Sequence, residues 1–309
     1  MAQRPQPIVP AVPGPPPVRP SRIRVAARRT FALFILSGSL AVLLWLAVIV
    51  VRAIRNDETG ASPPVAVPKR LHIVFPEGFT RAEMAQRITE VDGIAVNERG
   101  VTPKLGAAQY LAATADSPLP GRFADDGKAR PLEGFLFPAT YDFTAKTTSK
   151  QLVAAQLKAF RRNWAKVDLR YARSKNLTPY DVVTIASMIE REVVAPDERG
   201  RVAAVIYNRL HAHMPLGIDA TIRYALGVPA TQSLRESELH NPTPYNTRLH
   251  AGLPPTPIAN PGLAAMQAAA HPAKVDYLYF VRKPDKMHHF FTTSHRAFVN
   301  YERQHGYIR

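Results

Sequence analysis

The run from Phe31 to Val51 contains 21 residues and no charged side chain. About 20 apolar residues are needed to cross the hydrocarbon core of a bilayer as an α-helix. A cleavable signal peptide has a shorter apolar stretch, about 7–15 residues, followed by a small-residue cleavage site. The sequence after this run, Val51-Arg-Ala-Ile-Arg55, is no such site. Residues 31–51 are therefore predicted to be a permanent transmembrane helix.

The charges beside this run predict its orientation. Arginine is concentrated just before the run, at Arg22, Arg24, Arg28 and Arg29, and the first 30 residues contain no acid. After the run, Arg52 and Arg55 are followed directly by Asp57 and Glu58. Because cytoplasmic flanks carry the excess of basic residues, the N-terminus is predicted to be cytoplasmic and the rest of the chain periplasmic or extracellular.

The chain is predicted to contain several segments. Residues 1–30 are rich in proline and arginine and read as a disordered cytoplasmic tail. Residues 52–69, with three prolines and a glycine, read as a linker. The remaining residues, 70–309, are numerous enough for one domain with a sizeable core and a small additional module.

The net charge of +16 raises the question of an anionic partner. Six of the positive charges belong to the first 30 residues, and the others are scattered rather than gathered in one stripe. A nucleic-acid partner is therefore not expected, whereas an anionic wall polymer outside the cell would be attracted at long range. A generally arginine-rich composition explains the same charge without any partner. The chain has no cysteine, so disulfides do not stabilise it.

Hydrophobic periodicity and capping signals predict a mixture of helices and strands without a βαβ rhythm, which is the α+β class. Helices are predicted from Thr80 through Ile88, near 107–113, over 149–170, from Thr178 to Pro196 and over 198–211. Capping boxes, Thr80 with Glu83 and Thr178 with Asp181, mark two of the starts, and Pro179 occupies the favoured first position of the second. Others are predicted after Asp219, after Ser233, between Asn260 and His271, and after Ser294. Strands are predicted at 72–75, 277–281 and 288–291, with the last two paired.

The helix that begins at Thr178 ends with two acids in the stretch Ile185-Ala-Ser-Met-Ile-Glu-Arg-Glu192. On a helical wheel, Val182, Ile185, Ala186, Ile189 and Val193 form an apolar stripe, with Thr184, Ser187 and Arg191 opposite. Glu190 and Glu192 flank this stripe on opposite sides, so they cannot act as a pair. A carboxyl at the border of an apolar face can have a raised pKa and serve as a general acid. The structural alternative is an acid paired with Arg191, Arg199 or Arg209.

Histidine pairs raise the question of a metal site. His211 with His213 and His288 with His289 have some ligand character. No cysteine is present, and no acid with a recognised ligand spacing completes a set. Neither a metal nor another cofactor is therefore expected.

Ordered motifs resemble the YceG-like family, the endolytic murein transglycosylases. They include the Glu190-Arg-Glu192 segment, Glu198-Arg199 and Val202-Ala-Ala-Val-Ile-Tyr-Asn-Arg-Leu210. They continue with 132–138, 214–221, 244–247, 252–255, 260–262 and 277–281, so the resemblance spans about 132–292. Residues 71–90 are similar to the end of the family's small LysM-like module, which is truncated here. The chain departs from the family pattern at Ala139, Gly217, Ile218 and Ala220, and the family's C-terminal histidine pattern is blurred over 288–295.

The resemblance implies an N-terminal membrane anchor, a LysM-like remnant with a connecting region over 70–130 and a catalytic domain over 131–309. It implies a lytic transglycosylase that cuts nascent glycan strands of peptidoglycan and leaves 1,6-anhydro-muramic ends. The family's catalytic glutamate falls on Glu192. Motif positions that could line the glycan groove are Asn208, Arg209, Asp219, Thr221, Tyr245, Asn246 and Asn260. Peptidoglycan synthases are the partners that the resemblance suggests.

Two alternatives stay open at this point. One is a non-catalytic peptidoglycan-binding scaffold of the wall-synthesis machinery, suggested by the altered groove motifs. The other is a hydrolytic muramidase that uses Glu192 with a second acid such as Asp219 or Glu133. Asp219 and Asn260 also have structural alternatives as helix N-caps, and Arg209 as an ion-pair partner.

Overall fold

A computed structural model describes residues 42–53, 55, 69–115, 117–124 and 130–307. The chain divides into two units, residues 1–67 and 68–309. In the first unit, residues 42–53 are helical and exposed. The predicted tail, residues 31–41 of the predicted membrane span and most of the predicted linker lie outside the described residues. Among the residues that are described, no helix is both long and apolar enough to cross a membrane.

The second unit combines ten α-helices with four short strands in its described residues. The helices are α1 (Arg81–Arg99), α2 (Ala107–Ala115), α3 (Ser149–Trp164), α4 (Arg170–Ser174), α5 (Pro179–Glu192), α6 (Arg199–His211), α7 (Asp219–Leu226), α8 (Glu236–Leu239), α9 (Leu263–Ala270) and α10 (His295–Gln304). The strands are β1 (Leu71–Val74), β2 (Thr140–Phe143), β3 (Tyr279–Arg282) and β4 (His289–Thr292). Short 3₁₀ helices occupy Gly121–Ala124 and Pro196–Glu198.

The strands form two separate antiparallel pairs, which agrees with the predicted α+β mixture. In one pair, β1 lies beside β2, with Leu71 opposite Phe143. In the other pair, β3 lies beside β4, with Arg282 opposite His289. Strand β1 precedes residue 130 in the sequence and β2 follows it. The regions predicted as 70–130 and 131–309 therefore share a sheet and a core.

Helix α5 lies at the centre of the core and positions Glu192 at its C-terminal end. Thr178 caps its N-terminus in a capping box with Asp181, and Pro179 occupies the first turn, as predicted. The helix packs against α9, α6 and α7. Burial of each large apolar side chain of α5 stabilises the fold by about 1.5–3 kcal/mol, so the position of its last residue is well defined.

The prediction that only one side of α5 faces the core is wrong. All residues from Val182 to Ile189 are buried, including Thr184 and Ser187. The two hydroxyls are satisfied locally: Thr184 Oγ1 donates to the Tyr180 carbonyl, and Ser187 Oγ donates to the Thr184 carbonyl. Helices cover α5 on several sides, and a single helical wheel cannot anticipate that.

Some predicted helix boundaries also change. Helix α1 begins at its predicted capping box but continues to Arg99, where Gly100 ends it with a φ of 60°. The helix predicted over 149–170 stops at Trp164. The helix predicted from Asn260 begins instead at Leu263, with Gly262 as its N-cap, so Asn260 is not a cap.

Candidate active site

Glu192 lies where the C-terminal end of α5 meets the N-terminal end of α7. The residue is partly exposed, and the backbone N–H of Ala220, in the first turn of α7, lies close enough to its carboxyl to lower the pKa of that group. On the other side, Arg282 Nη2 donates to the Glu192 carbonyl at 2.8 Å. The end of β3 and the start of α7 therefore hold this residue from two directions.

The surroundings of Glu192 favour its protonated form. Burial raises the pKa of the Glu192 carboxyl above its usual range, and the nearby Asp219 carboxylate also raises it. Arg282, the Ala220 N–H and Arg223 oppose this shift and lower the pKa, but they do not cancel it. A carboxyl that keeps its proton closer to neutral pH can act as a general acid.

Asp219 belongs to the same site. It is the first residue of α7, after the N-cap position of Ile218, so it is not the helix cap. Arg248 Nε donates to its Oδ1 at 2.7 Å, and about two fifths of each side chain is exposed. The structure thus places an acid and an arginine beside Glu192.

Glu190 faces a different neighbour, as the helical wheel predicts. Its Oε2 accepts a hydrogen bond from the backbone N–H of Gly262, at the start of α9, at 2.9 Å. Burial raises the pKa of the Glu190 carboxyl, and Glu77 adds to the shift. Glu190 therefore contacts the start of α9, whereas Glu192 lies near the start of α7.

Asn208 and Arg209 bind backbone carbonyl groups. Asn208 Nδ2 donates to the carbonyls of Val275 and Tyr277, at 3.0 and 2.9 Å. Arg209 donates to the carbonyls of Leu278 and Leu216, both at 2.6 Å, rather than to a carboxylate. The alternative of an ion pair for Arg209 is therefore wrong. The two side chains thus connect α6 to the segment before β3. Strand β3 ends at Arg282.

Three other predicted groove residues, Thr221, Asn246 and Asn260, are completely buried. Thr221 Oγ1 lies 3.1 Å from Thr247 Oγ1, and Asn246 Nδ2 donates to two backbone carbonyls. Tyr245 is partly exposed, and its hydroxyl lies 2.8 Å from Thr256 Oγ1. The four residues therefore make hydrogen bonds to other parts of the protein. That they contact the substrate directly stays a prediction.

Gly217 and Ile218, two of the departures from the family pattern, make hydrogen bonds to Thr247. Gly217 has a φ of 63°, a left-handed conformation that favours glycine over the polar residue of the family pattern. Its N–H donates to the Thr247 carbonyl, and the Ile218 N–H donates to Thr247 Oγ1. Both residues shape the loop that leads into α7, and Ile218 is buried.

Glu133 is enclosed in a network that sequence reasoning did not anticipate. Its side chain is 2% exposed and accepts hydrogen bonds from the Arg81 N–H, from Asn260 Nδ2 at 2.7 Å and from the Tyr224 hydroxyl at 3.3 Å. Tyr224 is four residues beyond Ala220 on α7. Because its oxygens are occupied by protein donors and hidden from solvent, Glu133 is not positioned as a second catalytic acid.

Asn260 joins this network to the segment at 134–136. Its Oδ1 accepts from the N–H groups of Gly134 and Leu136, and its Nδ2 also donates to the Phe79 carbonyl, all at 2.9 Å. Gly134 has a φ of 90°, and a Cβ there would come within 2.7 Å of Pro257. The role of Asn260 in the structure is to connect three parts of the chain.

The burial of Glu133 predicts a pH-dependent stability. Burial raises the pKa of Glu133 from 4.5 to about 7. Between these values the folded chain holds a proton that the unfolded chain has lost, so the free energy of unfolding falls as pH rises through this window and then levels off. We expect Glu133→Gln to remove up to about 3 kcal/mol of this fall. Denaturant unfolding of both proteins at pH 5 and pH 7.5 measures it, and an equal fall in both would contradict the assignment.

A second buried acid pairs with histidine. Glu198 and His289 are 1% and 3% exposed, and Glu198 accepts hydrogen bonds from His289 Nδ1, at 2.6 Å, and from the His289 N–H. Burial lowers the pKa of His289 in spite of this carboxylate. The pair fastens the start of α6 to β4, next to Arg282 on β3. In the described part of the chain, no three His, Cys, Asp or Glu side chains form a metal-binding group.

Comparison with known proteins gives concordant results. Residues 50–304 match the model of the YceG-like family. An endolytic murein transglycosylase of Bacillus subtilis is 40% identical over 154 residues, which cover 50% of this chain and 42% of the relative. One of Streptococcus pneumoniae strain R6 is 32% identical over 247 residues, with 74% and 43% covered. The chain thus spans less than half the length of these relatives.

A solved structure is also similar. The crystal structure of a yceG-like protein from Listeria monocytogenes matches with a TM-score of 0.63 and 31% identity. The match covers 74% of this chain and 75% of that one.

Proposed function

The chain belongs to the YceG-like family, and we propose that it is a lytic transglycosylase that cuts the glycan strands of peptidoglycan. The observation that carries this proposal is Glu192, a partly exposed residue between the ends of α5 and α7 whose carboxyl has a raised pKa. The printed names of the curated relatives, endolytic murein transglycosylase, supply the reaction and the substrate class.

One carboxyl is enough for this reaction. Glu192 donates its proton to the glycosidic oxygen as the bond from that oxygen to C1 of the muramic residue breaks. The C6 hydroxyl of the same muramic residue attacks C1, and its proton passes to Glu192 as the 1,6-anhydro ring closes. No water is consumed, and the acid is regenerated. An intramolecular hydroxyl competes with water because its effective concentration is very high.

Groups near Glu192 support its proposed role in both steps. Burial keeps the Glu192 proton available for the first step. The Ala220 N–H and the guanidinium of Arg282 then stabilise the carboxylate that is left. The positive end of the α7 dipole acts in the same direction.

The test is a product analysis. We expect the full-length chain, in detergent, to release fragments with 1,6-anhydro-muramic ends from un-crosslinked glycan strands, as detected by mass spectrometry. Cleavage that leaves only reducing ends would contradict a transglycosylase. Binding of strands without any cleavage would instead support a scaffold.

A muramidase is the second candidate, and the position of Asp219 favours it. Asp219 is close enough to raise the pKa of Glu192, so it could serve as the base that activates a water molecule. Arg248 Nε donates to Asp219 Oδ1 at 2.7 Å and holds this carboxylate in place. Glu133 is no candidate for this role because it is buried.

We further propose a location outside the cytoplasm, with residues 31–51 as the membrane anchor and peptidoglycan synthases as partners. The uncharged run, the arginines before it and the wall substrate support this topology. Because the chain has no cysteine, single cysteines can report on it without background. We expect a membrane-impermeant maleimide to label Lys158→Cys, at an exposed position of α3, but not Ser21→Cys in spheroplasts. The reverse pattern would contradict the topology.

A further inference from the structure

The candidate site contains more positive charge than proton transfer requires. Arg282 and Arg223 both act on Glu192, and Arg248 interacts electrostatically with Glu192 and with Glu302 of α10. Arg209 lies close enough to Arg248 for the two to repel each other. When Glu192 carries its proton, the carboxylates near these four guanidinium groups are those of Asp219, Glu302 and Glu238, and Glu238 is already paired with Arg235. The site therefore has an excess of positive charge.

This excess opposes the first step of the proposed reaction, in which Glu192 must hold a proton, although Arg282 stabilises the carboxylate that this step leaves. Arg282 and Arg223 lower the pKa of Glu192 and make its proton harder to keep. The sugar backbone of a glycan strand is neutral at the bond that breaks, so it gains nothing from the cations in the ground state. A substrate that brings its own negative charge would both use and neutralise them.

Two of the four arginines are engaged by the fold. Arg209 donates to the carbonyls of Leu278 and Leu216, and Arg223 donates to those of Pro229 and Gln232. These contacts hold loops in place and explain the two residues without a ligand.

The other two arginines are exposed and only partly engaged. Arg248 is 44% exposed and uses Nε on Asp219. Arg282 is exposed and uses one Nη on the Glu192 carbonyl. Each side chain is exposed beyond these contacts, and the two come from different parts of the chain. Asp219 and the Glu192 carbonyl thus hold the two cations near Glu192.

We propose that Arg248 and Arg282 bind a carboxylate of the peptide that a muramic residue carries, so that strands with peptides are cut in preference to bare strands. This inference rests on the proposed function and adds the part of the substrate that is recognised. Guanidinium groups suit this role because they are always charged and bind carboxylates with two parallel hydrogen bonds. The lactyl side chain that bears the peptide lies on the same sugar whose C1 is attacked, next to Glu192.

The test compares two substrates made from one preparation of strands that is free of lipid and phosphate. One portion keeps its peptides, and an amidase removes them from the other. With the full-length chain, we expect cleavage of peptide-bearing strands to exceed that of bare strands by about 10-fold in kcat/KM, since one charge-assisted contact contributes about that much. The preference should shrink as salt rises.

Variants separate this inference from the proposed function. We expect Arg248→Gln and Arg282→Gln to lose most of the preference, and Arg248→Lys to keep part of it. Arg170→Gln is the matched control. Arg170 is exposed and pairs with Asp168, and its replacement by glutamine removes the same charge as the other two substitutions. Equal cleavage of both substrates by the unmodified chain would overturn the inference alone. A preference that persists in both Gln variants would also overturn it, and cleavage of neither substrate would overturn the proposed function.

Discussion

Replacing Glu192 with glutamine is expected to lower the rate of glycan cleavage by about 10²–10⁴-fold, the usual contribution of general acid–base catalysis. Glutamine has nearly the same shape and can still accept the Ala220 N–H, but it has no proton of the required acidity to donate. The side chain is partly exposed, so the thermal unfolding temperature should hardly change. Release of new strand ends over time, together with a thermal melt, measures both effects.

Glu190→Gln is the matched control for this prediction. It makes the same chemical change two residues earlier on α5, where the side chain can still accept from the Gly262 N–H. We expect its rate to stay within about 3-fold of the unmodified chain, since general acid–base effects arise only from a group that reaches the reacting atoms. A large loss of activity in Glu190→Gln with normal activity in Glu192→Gln would contradict the account, because the catalytic residue would then be Glu190.

Asn260→Ala is expected to cause the largest loss of stability, about 4 kcal/mol. The completely buried amide makes four hydrogen bonds, two accepted from Gly134 and Leu136 and two donated to Phe79 and Glu133. Alanine leaves these buried groups without partners. In a unit of this size, the loss corresponds to a fall of roughly 8–16 °C in the unfolding temperature.

The control for this stability effect is Asn163→Ala. Asn163 lies on α3, is only partly buried and donates to the Ala159 carbonyl of its own helix. We expect it to lose less than about 1 kcal/mol, as surface substitutions usually do. Equal losses in the two variants, measured by denaturant unfolding, would contradict the role of Asn260 as a connection between distant segments.

Local signals predicted the parts of the fold that depend on neighbours in sequence. The Thr178 and Thr80 capping boxes, the Pro179 start of α5 and the Ser294 cap of α10 each involve residues within four positions of one another. The separation of Glu190 from Glu192 followed from the 100° spacing of residues on a helix. The assignment of the catalytic role to Glu192 came instead from the resemblance to the YceG-like family, and it stays a prediction.

Contacts between distant segments were not predictable in this way. Asn260 reads as a helix cap in sequence because it precedes Pro261, but its partners lie more than 120 residues earlier. Glu198 and His289 are 91 residues apart, and no periodicity connects them. The buried face of α5 was missed because several helices cover it. Arg248 and Arg282 follow no pattern in sequence, since only the fold brings them to Glu192.

The most direct test of the central claim, that the C6 hydroxyl rather than water attacks C1, is cleavage in water enriched in ¹⁸O. The full-length chain is incubated with un-crosslinked strands, the products are reduced at once, and mass spectrometry determines the isotope at each new muramic end. The account predicts 1,6-anhydro ends without ¹⁸O, since no water enters the product. New reducing ends that carry ¹⁸O would contradict it and would identify a hydrolase that uses Glu192 with Asp219.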